Sequence, residues 1–489
     1  MIAKERLFEI IKPLKIEGDI PSSFDYFTDD TRELKENTLF FAIKGENFDG
    51  HNLIKDFKDK VSAVIIEKDI DVQVPKIYVD STKESFYKLL EVTNNINLEE
   101  FRIIGITGTN GKTTFTYLME SIFKSAGRLI GVIGTVNYRC GEFSCDAGNT
   151  TPDLKRLIPL LKNFKDLGAK DIVMEVSSHS LKQNRLLGLR FDSAIFSNLT
   201  PEHLDFHNDM EDYYKSKKLL FTKHLKDNAF GVINIDDPYG ERLFLELGDS
   251  RMKTYSFKKK AKYNCKILKK DIEGLKIEIS SGEFFDIVAS NLKGGFNAYN
   301  VISAYITALN LGIDKEVIKK GILNLINVPG RLEEIKNDCG LKVFVDYAHT
   351  PDALENVLKT IKEISLGRII TVFGCGGDRD KTKRKPMGEI ASKYSDLIIV
   401  TSDNPRTEDP LAIIEDIKKG LDFSKRVFIQ PNREKAIYDA VYSAKKGDTI
   451  LIAGKGHEDY QIINQEKIYF SDQKVVGEAL RRRECLARV

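Results

Sequence analysis

Short apolar runs that end in glycine or in clustered polar residues recur along the chain from residue 102 onward, with longer polar and amphipathic stretches between them. In the middle of the chain the runs RIIGIT, DIVMEV, AIFSNL and FGVIN pass into GTNGKTT, SSHS, TPEHLDFH and DDPYG. Further on, KVFVD, IITVF, LIIVT and TILIA pass into YAHTPDALE, GCGGDRDK, SDNPRTEDP and GKGHEDY. Unbroken apolar runs of strand length that alternate with helical segments predict buried parallel strands joined by crossover helices. Residues 1–98 carry shorter strands (TLFFAIKG, VSAVIIEK, KIYVD) among polar helices, and Pro329–Gly330 in LINVPGRLEEI marks a hinge. The fold class is therefore α/β with three domains: 1–98, a smaller α/β unit; 99–331, a central parallel sheet with helices on both faces; and 332–489, a Rossmann-like unit of the same kind. In such sheets ligands sit outside the carboxyl ends of the strands, so the polar loop after each run is where chemistry is expected.

Composition narrows the class. A chain of 489 residues is too long for one core. Seventy-five basic against 73 acidic residues leave a formal charge of +2, so no overall field favours nucleic acid or an anionic membrane. Charges run through the opening MIAKERLFEIIKPLKIEGDI and no stretch approaches a membrane span, so a cytoplasmic protein is expected. The six cysteines, Cys140, Cys145, Cys265, Cys339, Cys375 and Cys485, are dispersed and form no CxxC pair, which reads as reduced thiols.

The loop Gly108-Thr109-Asn110-Gly111-Lys112-Thr113-Thr114 follows a strand. Its glycines let backbone N–H groups close around phosphate, Lys112 can neutralise β and γ phosphates, and Thr113 can hold Mg²⁺ at a helix start. The strict GxxxxGK[ST] spacing is not met, because Ile106 stands five residues before Gly111 and the glycine is Gly105. Glu175 ends the strand in MEVSSH and His203 stands in PEHLDFH; a carboxylate and an imidazole near a γ-phosphate suit a second divalent cation. Lys217, in YYKSKKLLF, reads by default as a solvent-facing lysine on an amphipathic helix. In TSDNPRTEDP, Asn-Pro explains a turn, whereas Arg406 presents a planar fork of donors that suits a carboxylate better than a turn requires.

The ordered run GITGTNGKTT, NTTPD, MEVSSHSL, NLTPEHLDFH, GGFNAYN, VPGRLE, DYAHTPDALE, GCGGDRD, DNPR and GKGHE closely resembles the Mur ligases of peptidoglycan synthesis, and within them the members that add a diamino acid. DDTRELKENTLFFAIKGENFDGH resembles the family's uridine-binding stretch, so the resemblance spans essentially the whole chain. It implies an ATP- and Mg²⁺-dependent amide ligase acting through an acyl phosphate on the D-Glu carboxylate of UDP-MurNAc-L-Ala-D-Glu. By position it implies catalytic roles for Lys112, Glu175, His203 and Lys217, with Thr113, Glu175, His203 and a carbamylated Lys217 on the metal side. The YxxxK motif selects Lys217, four after Tyr213, over Lys215 and Lys218. ATP would meet the 108–114 loop, Asn297, Asn300, Arg331 and Asp346, the last two only on domain closure. Thr31, Asn149, Thr150, Thr151, Ser177, Gln183 and Arg185 would take the muramoyl dipeptide. Thr31-Arg32 stands where the family usually shows Ser-Arg. His179 and His349 are read as scaffold.

For the incoming amino acid the resemblance points to Arg379, Asp403, Asn404, Pro405, Arg406, Gly454 and Glu458. Guanidinium groups can take a carboxylate and Asp403 or Glu458 an ammonium, which together make a receptor for a zwitterionic head. The far end of meso-diaminopimelate is such a head, whereas lysine offers only an ammonium there. meso-Lanthionine would satisfy the same two ends. The alternatives are a lysine-adding ligase, disfavoured by Arg406, and a silent nucleotide-binding module, expected to lack Lys112, Glu175 or His203. The partners implied are small molecules, with neither nucleic acid nor membrane, and the working form is a monomer.

Overall fold

The computed structural model describes residues 1–45, 48–248, 250–282 and 284–487, with side chains described through residue 484. Glu46 and Asn47 of the N-terminal motif and the Cys485 side chain lie outside the described part. The chain divides into two compact units, the first made of Met1–Arg102, Pro152–Lys170 and His179–Arg190, the second of Ile103–Thr151, Asp171–Ser178 and Phe191–Val489.

In the first unit a five-stranded sheet runs in the order Lys15–Glu17, Lys76–Tyr78, Ala63–Ile66, Thr38–Phe41, Tyr26–Thr28. All its pairings are parallel except that of Lys15–Glu17. TLFF and AVII are buried at every position, which is why they read as unbroken apolar runs. The helix Thr82–Thr93 starts where the Ser81 side chain accepts from the Glu84 N–H.

The second unit holds an eleven-stranded sheet and a six-stranded one. In the larger, Ile130–Ile133 pairs in parallel with Asp171–Glu175, and parallel pairing runs from Arg102–Thr107 through Phe191–Phe196, Leu225–Asn234 and Met252–Ser256 to Tyr263–Asp271. The parallel sheet expected from the sequence forms the middle of this sheet, and antiparallel strands extend it at both edges. Asn137–Cys140 and Phe143–Asp146 add an antiparallel hairpin at one edge, and Gly274–Ser281 and Phe284–Ser290 continue an antiparallel meander at the other. Those edge strands alternate buried and open positions, as antiparallel strands with one solvated face do.

The six-stranded sheet has the order Glu333–Glu334, Lys342–Asp346, Thr449–Ala453, Ile369–Phe373, Leu397–Val400, Arg426–Ile429, antiparallel only at Glu333–Glu334. Its two faces have separate cores. Phe344 packs with Leu354, Met387 and Ile413, while its neighbours Val343 and Val345 pack with Ala436, Ala440 and Val476. Strand alternation thus places helices on both faces and leaves Asp346, Phe373, Val400 and Ala453 at the carboxyl ends, where the polar loops begin. Among the described residues no helix is long and apolar enough to cross a membrane. Cys140, Cys265, Cys339 and Cys375 are free thiols.

Candidate functional site

The strand Arg102–Thr107 delivers the glycine loop to the start of the helix Lys112–Ser125, whose first turn has no side-chain cap. Uncapped N–H groups at a helix start are a ready anion site. Gly108 and Gly111 have φ of 146° and 92°, and a Cβ at Gly108 would lie 1.9 Å from the Ser197 hydroxyl. At Gly111 a Cβ would lie 2.3 Å from Asn300 Oδ1. The loop is held from behind by Asn198, whose Oδ1 accepts from the Asn110 N–H at 2.9 Å, and by Thr109, whose hydroxyl lies 3.2 Å from the Tyr213 hydroxyl.

Lys112 Nζ donates to the carbonyls of Gly108 and Thr109, both at 2.8 Å, and Lys217 Nζ donates to the same Gly108 carbonyl at 3.0 Å. Lys217 is 1% exposed and lies over the Tyr213 ring at 4.6 Å. The neighbouring Lys215 side chain is 69% exposed and that of Lys218 30%. A solvent-facing lysine therefore describes Lys215, and that reading of Lys217 is corrected: the helix Met210–Thr222 turns it inward with Tyr213 and Tyr214. Burial, and after it the Lys112 ammonium, pushes the Lys217 amine well below its ordinary value, and burial also lowers Lys112.

Glu175 is anchored by Thr135, whose N–H and hydroxyl donate to its two carboxylate oxygens at 3.1 and 2.9 Å. The Thr135 hydroxyl also meets that of Thr150 at 3.0 Å. Thr151 donates to the Glu175 carbonyl at 2.8 Å and accepts from the Ser177 N–H at 2.9 Å, and the Asn149 carbonyl accepts from the Tyr138 hydroxyl. His203 stands in a loop at φ 58°, 3.6 Å from Glu202, and burial pushes its imidazole down despite that carboxylate. Among the described residues no group of three His, Cys, Asp or Glu side chains forms a ready metal cage. Mg²⁺ that keeps waters and phosphate oxygens needs only one or two protein carboxylates, and the oxygen donors of Thr113 and Glu175 suit it.

Residues distant in sequence close over this loop. Arg331 Nη2 donates to the Thr113 hydroxyl at 3.1 Å, and its guanidinium lies 4.8 Å from the Tyr347 ring centre. Asn110 Nδ2 donates to Asp352 at 3.0 Å, and His349 lies 3.4 Å from Glu202. Burial opposes ionisation of Glu202, yet His349, His203 and Lys112 together hold it far below the usual carboxylate range. Asp346 accepts from the N–H groups of Leu332 and Ala348 at 2.6 and 2.7 Å, and burial pushes its carboxyl up to about 6. Asn297 Nδ2 donates to the Lys293 carbonyl at 2.8 Å and its Oδ1 accepts from Asn300 at 2.9 Å, so neither asparagine is the helix cap, which is Gly294.

At the carboxyl ends of the six-stranded sheet a second cluster forms. Arg406, at φ 53°, donates from Nη1 to the Gly377 carbonyl at 2.7 Å, while its backbone is pinned by the Ile462 carbonyl and the Asn464 N–H. Asn404 Nδ2 donates to Glu458 at 2.9 Å. A Cβ at Gly454 would lie 2.4 Å from an Asp403 oxygen. Arg379 is exposed and donates to the Asp378 carbonyl at 3.0 Å. Pro405 is buried, and its carbonyl would lie 1.9 Å from a Cβ at Gly377.

The second unit thus brings together the 108–114 loop, Lys217, Arg331 and Asn300, and separately Asp403, Asn404, Arg406, Gly454 and Glu458. Thr31, Gln183 and Arg185 belong to the first unit. Thr31 is exposed in a short turn where Arg32 pairs with Asp30 at 2.6 Å, and Gln183 and Arg185 are half-buried after the helix Ser178–Lys182. Sequence reasoning missed Thr135, the Glu202–His349 pair, Asn110–Asp352 and Lys455. Glu202 and Lys455 stood inside quoted motifs, PEHLDFH and GKGHE, with no partner visible in the chain order.

Comparison with known proteins gives a consistent set of similarities. The Mur ligase middle domain matches residues 106–308, and the Mur ligase glutamate ligase domain matches residues 330–456. The chain is 45% identical over 460 residues to the UDP-N-acetylmuramoyl-L-alanyl-D-glutamate–2,6-diaminopimelate ligase of Aquifex aeolicus (strain VF5), covering 94% of each. It is 41% identical over 503 residues to the ligase of the same name from Geobacter metallireducens, covering 98% of each. A solved structure of a UDP-N-acetylmuramoyl-L-alanyl-D-glutamate–2,6-diaminopimelate ligase matches with a TM-score of 0.70 at 33% identity, over 98% of this chain and 99% of that one.

Proposed function

This chain belongs to the Mur ligase family, and on that premise we propose that it is an ATP-dependent acid–amino-acid ligase that adds meso-diaminopimelate to the D-Glu carboxylate of UDP-MurNAc-L-Ala-D-Glu. The observation that supports this most directly is a cluster of Asp403, Asn404, Arg406 and Glu458, whose charges suit a zwitterionic head, on the same compact unit as a glycine loop that carries Lys112 at an uncapped helix start.

The D-Glu carboxylate attacks the γ-phosphorus, a bond to carboxylate oxygen forms as the bond to the β-phosphate oxygen breaks, and ADP leaves. The amine of the incoming amino acid, having lost a proton, then attacks the acyl carbon, and the tetrahedral adduct expels phosphate. Charge concentrates where three anionic groups meet, so the stabilising groups are cations and backbone N–H donors. Lys112 and the loop N–H groups face the phosphates, with Asn297 and Asn300 on the adenine side and Arg331 and Asp346 completing the nucleotide site. Thr113, Glu175, His203 and a carbamylated Lys217 would hold Mg²⁺, which when bound neutralises phosphate oxygens. On the second unit, Asn149, Thr150, Thr151 and Ser177 would hold the muramoyl dipeptide. Arg379, Asp403, Asn404, Pro405, Arg406, Gly454 and Glu458 hold the far head of the diamino acid. The enzyme acts as a cytoplasmic monomer on small soluble substrates.

Phosphate release with ATP, Mg²⁺ and UDP-MurNAc-L-Ala-D-Glu, comparing meso-diaminopimelate, meso-lanthionine and L-lysine as acceptors, tests the reading. Turnover with the two bis-amino acids and little with lysine is expected. Equal use of lysine would reduce Arg406 to a turn residue, and no release with any acceptor would remove the ligase assignment.

A further inference from the structure

Lys455 is the one residue of the amino-acid cluster to which the reading above gives no task. Its side chain is 0% exposed, at the end of the strand Thr449–Ala453. A lysine of this kind is almost never fully buried without partners. Its Nζ donates to Glu458 Oε2 at 2.9 Å and to Asn404 Oδ1 at 3.0 Å, and lies 4.0 Å from Asp403 Oδ1. Asn404 is thereby oriented: its Oδ1 accepts from Lys455 and from the Ile462 N–H at 3.0 Å, which leaves its Nδ2 to donate to Glu458. The ammonium thus lies against the Glu458 carboxylate and within 4.0 Å of that of Asp403.

The charges at this place can be counted. Asp403 and Glu458 are negative, and Arg406 and Lys455 are positive. Arg433 lies beneath them, but it is paired with Asp472, Nη2 to Oδ2 at 2.7 Å and Nε to Oδ1 at 2.8 Å, and so adds nothing net. Arg384 and Lys381 face Glu408, and Arg384 also faces Asp416, on the outer side. Arg379 stands exposed at the rim, as do Asp378, Asp459 and Lys467, where solvent screens their charges, so the count is made over the buried and half-buried groups alone. With Lys455 counted, the pocket is neutral and matches a head bearing one ammonium and one carboxylate. Without it, the pocket would carry one excess negative charge and would match an ammonium alone.

We propose that Lys455 is a specificity-determining positioning residue: its buried ammonium cancels one of the two pocket carboxylates, so that the receptor selects a zwitterionic head over a singly charged one. The proposal rests on the ligase reading and adds to it a source of selectivity other than Arg406. Arg406 supplies a partner for the carboxylate of the head; Lys455 removes the surplus attraction that would let a bare ammonium compete. Charge balance in a desolvated pocket discriminates by energies large enough to read as ratios of rates.

The test uses three acceptors that differ only at the far head: meso-diaminopimelate with both charges, L-lysine with the ammonium alone, and L-2-aminopimelate with the carboxylate alone. For the wild-type protein, kcat/KM for lysine and for 2-aminopimelate should both be low and within about 10-fold of each other, as a neutral pocket requires. In Lys455→Met the lysine to 2-aminopimelate ratio should rise by about 10-fold or more, with KM for ATP and the UDP-dipeptide unchanged. Lys455→Gln, which keeps a hydrogen-bond donor but no charge and burdens folding less, should show the same rise. A Gln variant with the wild-type ratio would assign the effect to hydrogen bonding and overturn the proposal, as would equal loss with all three acceptors. Wild-type turnover of diaminopimelate establishes the ligase reading by itself. An unchanged ratio in a variant that still uses diaminopimelate therefore removes the role of Lys455 and leaves that reading standing.

Discussion

The ammonium groups of Lys112 and Lys217 converge on one acceptor, the carbonyl oxygen of Gly108, at 2.8 and 3.0 Å. Two cations that share an acceptor in a buried place repel each other, and Lys217, 1% exposed, bears most of that cost. A lysine driven toward its neutral amine is the form that adds CO₂, giving a carbamate anion and releasing a proton. That change converts the repulsion into attraction to Lys112. With ¹³C-bicarbonate the protein should show a carbamate resonance that is absent in Lys217→Ala, and Lys217→Ala should lose at least about 100-fold in kcat. A variant that keeps full activity, or a wild-type spectrum without the resonance, would leave Lys217 as a plain buried amine.

Arg406 holds a left-handed backbone, φ 53°, while its guanidinium donates from Nη1 to the Gly377 carbonyl at 2.7 Å and to the Asn404 carbonyl at 3.4 Å. Turn and clamp can therefore be separated. Glycine removes the side chain and also the cost of positive φ, about 1 kcal/mol for a residue with a Cβ. Arg406→Gly should thus exceed Arg406→Ala in stability by about 1 kcal/mol, measured by urea unfolding. Both should lose about 1000-fold in kcat/KM for diaminopimelate, because a site built around a guanidinium leaves it or its partner unsatisfied when either is removed. If Arg406→Gly retained diaminopimelate turnover, the arginine would serve the turn alone.

Gly111, at the N-terminus of the helix Lys112–Ser125, faces Asn300, and its φ is 92°. Alanine there would be strained by the backbone and would place a methyl 2.3 Å from Asn300 Oδ1. Gly111→Ala should cost about 1–3 kcal/mol of stability and weaken nucleotide binding. Adding Asn300→Ala relieves the overlap and not the φ strain, so the double variant should recover part of the stability and little of the nucleotide affinity. Calorimetric binding of ADP alongside unfolding curves would show whether the two residues couple; simple additivity would mean that the loop moves aside at little cost.

How far the chain order could be read depended on the distance over which each relation acts. The strands that end in Glu175 and Asp346, and the one that leads to Asp403, were legible because burial on both faces writes an unbroken apolar run, and the loop with Lys112 and Thr113 because glycines before a helix are a local pattern. The antiparallel strands Tyr263–Asp271 and Gly274–Ser281 were not, since a solvated face mixes lysines among their apolar positions. The burial of Lys217 was hidden by Lys215 and Lys218 on the same helix, where one lysine in three turns inward only because Tyr213 and the Gly108 carbonyl await it. The pairs Glu202–His349, Asn110–Asp352 and Arg331–Thr113 join segments far apart in sequence, and nothing local to either partner announces the other.

Asp346 is buried at the end of its strand, with one carboxylate oxygen accepting from Leu332 and the other from Ala348. Those bonds and the Arg331 charge favour the ionised form, but burial outweighs them and pushes the carboxyl up to about 6. In the unfolded chain the same group loses its proton near the ordinary aspartate value of about 4. Between about 4 and 6 the folded protein therefore binds the extra proton, so this group's contribution to stability is fully present below about 4 and is lost as pH rises to about 6. The gap corresponds to about 3 kcal/mol. Urea unfolding of the ligand-free protein across this range should show wild-type stability falling with pH relative to Asp346→Asn, which has no proton to lose. The difference should level off above about pH 7. The variant should nevertheless be a poor ligase, because an amide offers one acceptor where two N–H groups must be met, and its second group turns an N–H toward one of them. Parallel pH curves for the two proteins would mean that Asp346 is ionised throughout, with Arg331 compensating its burial in full.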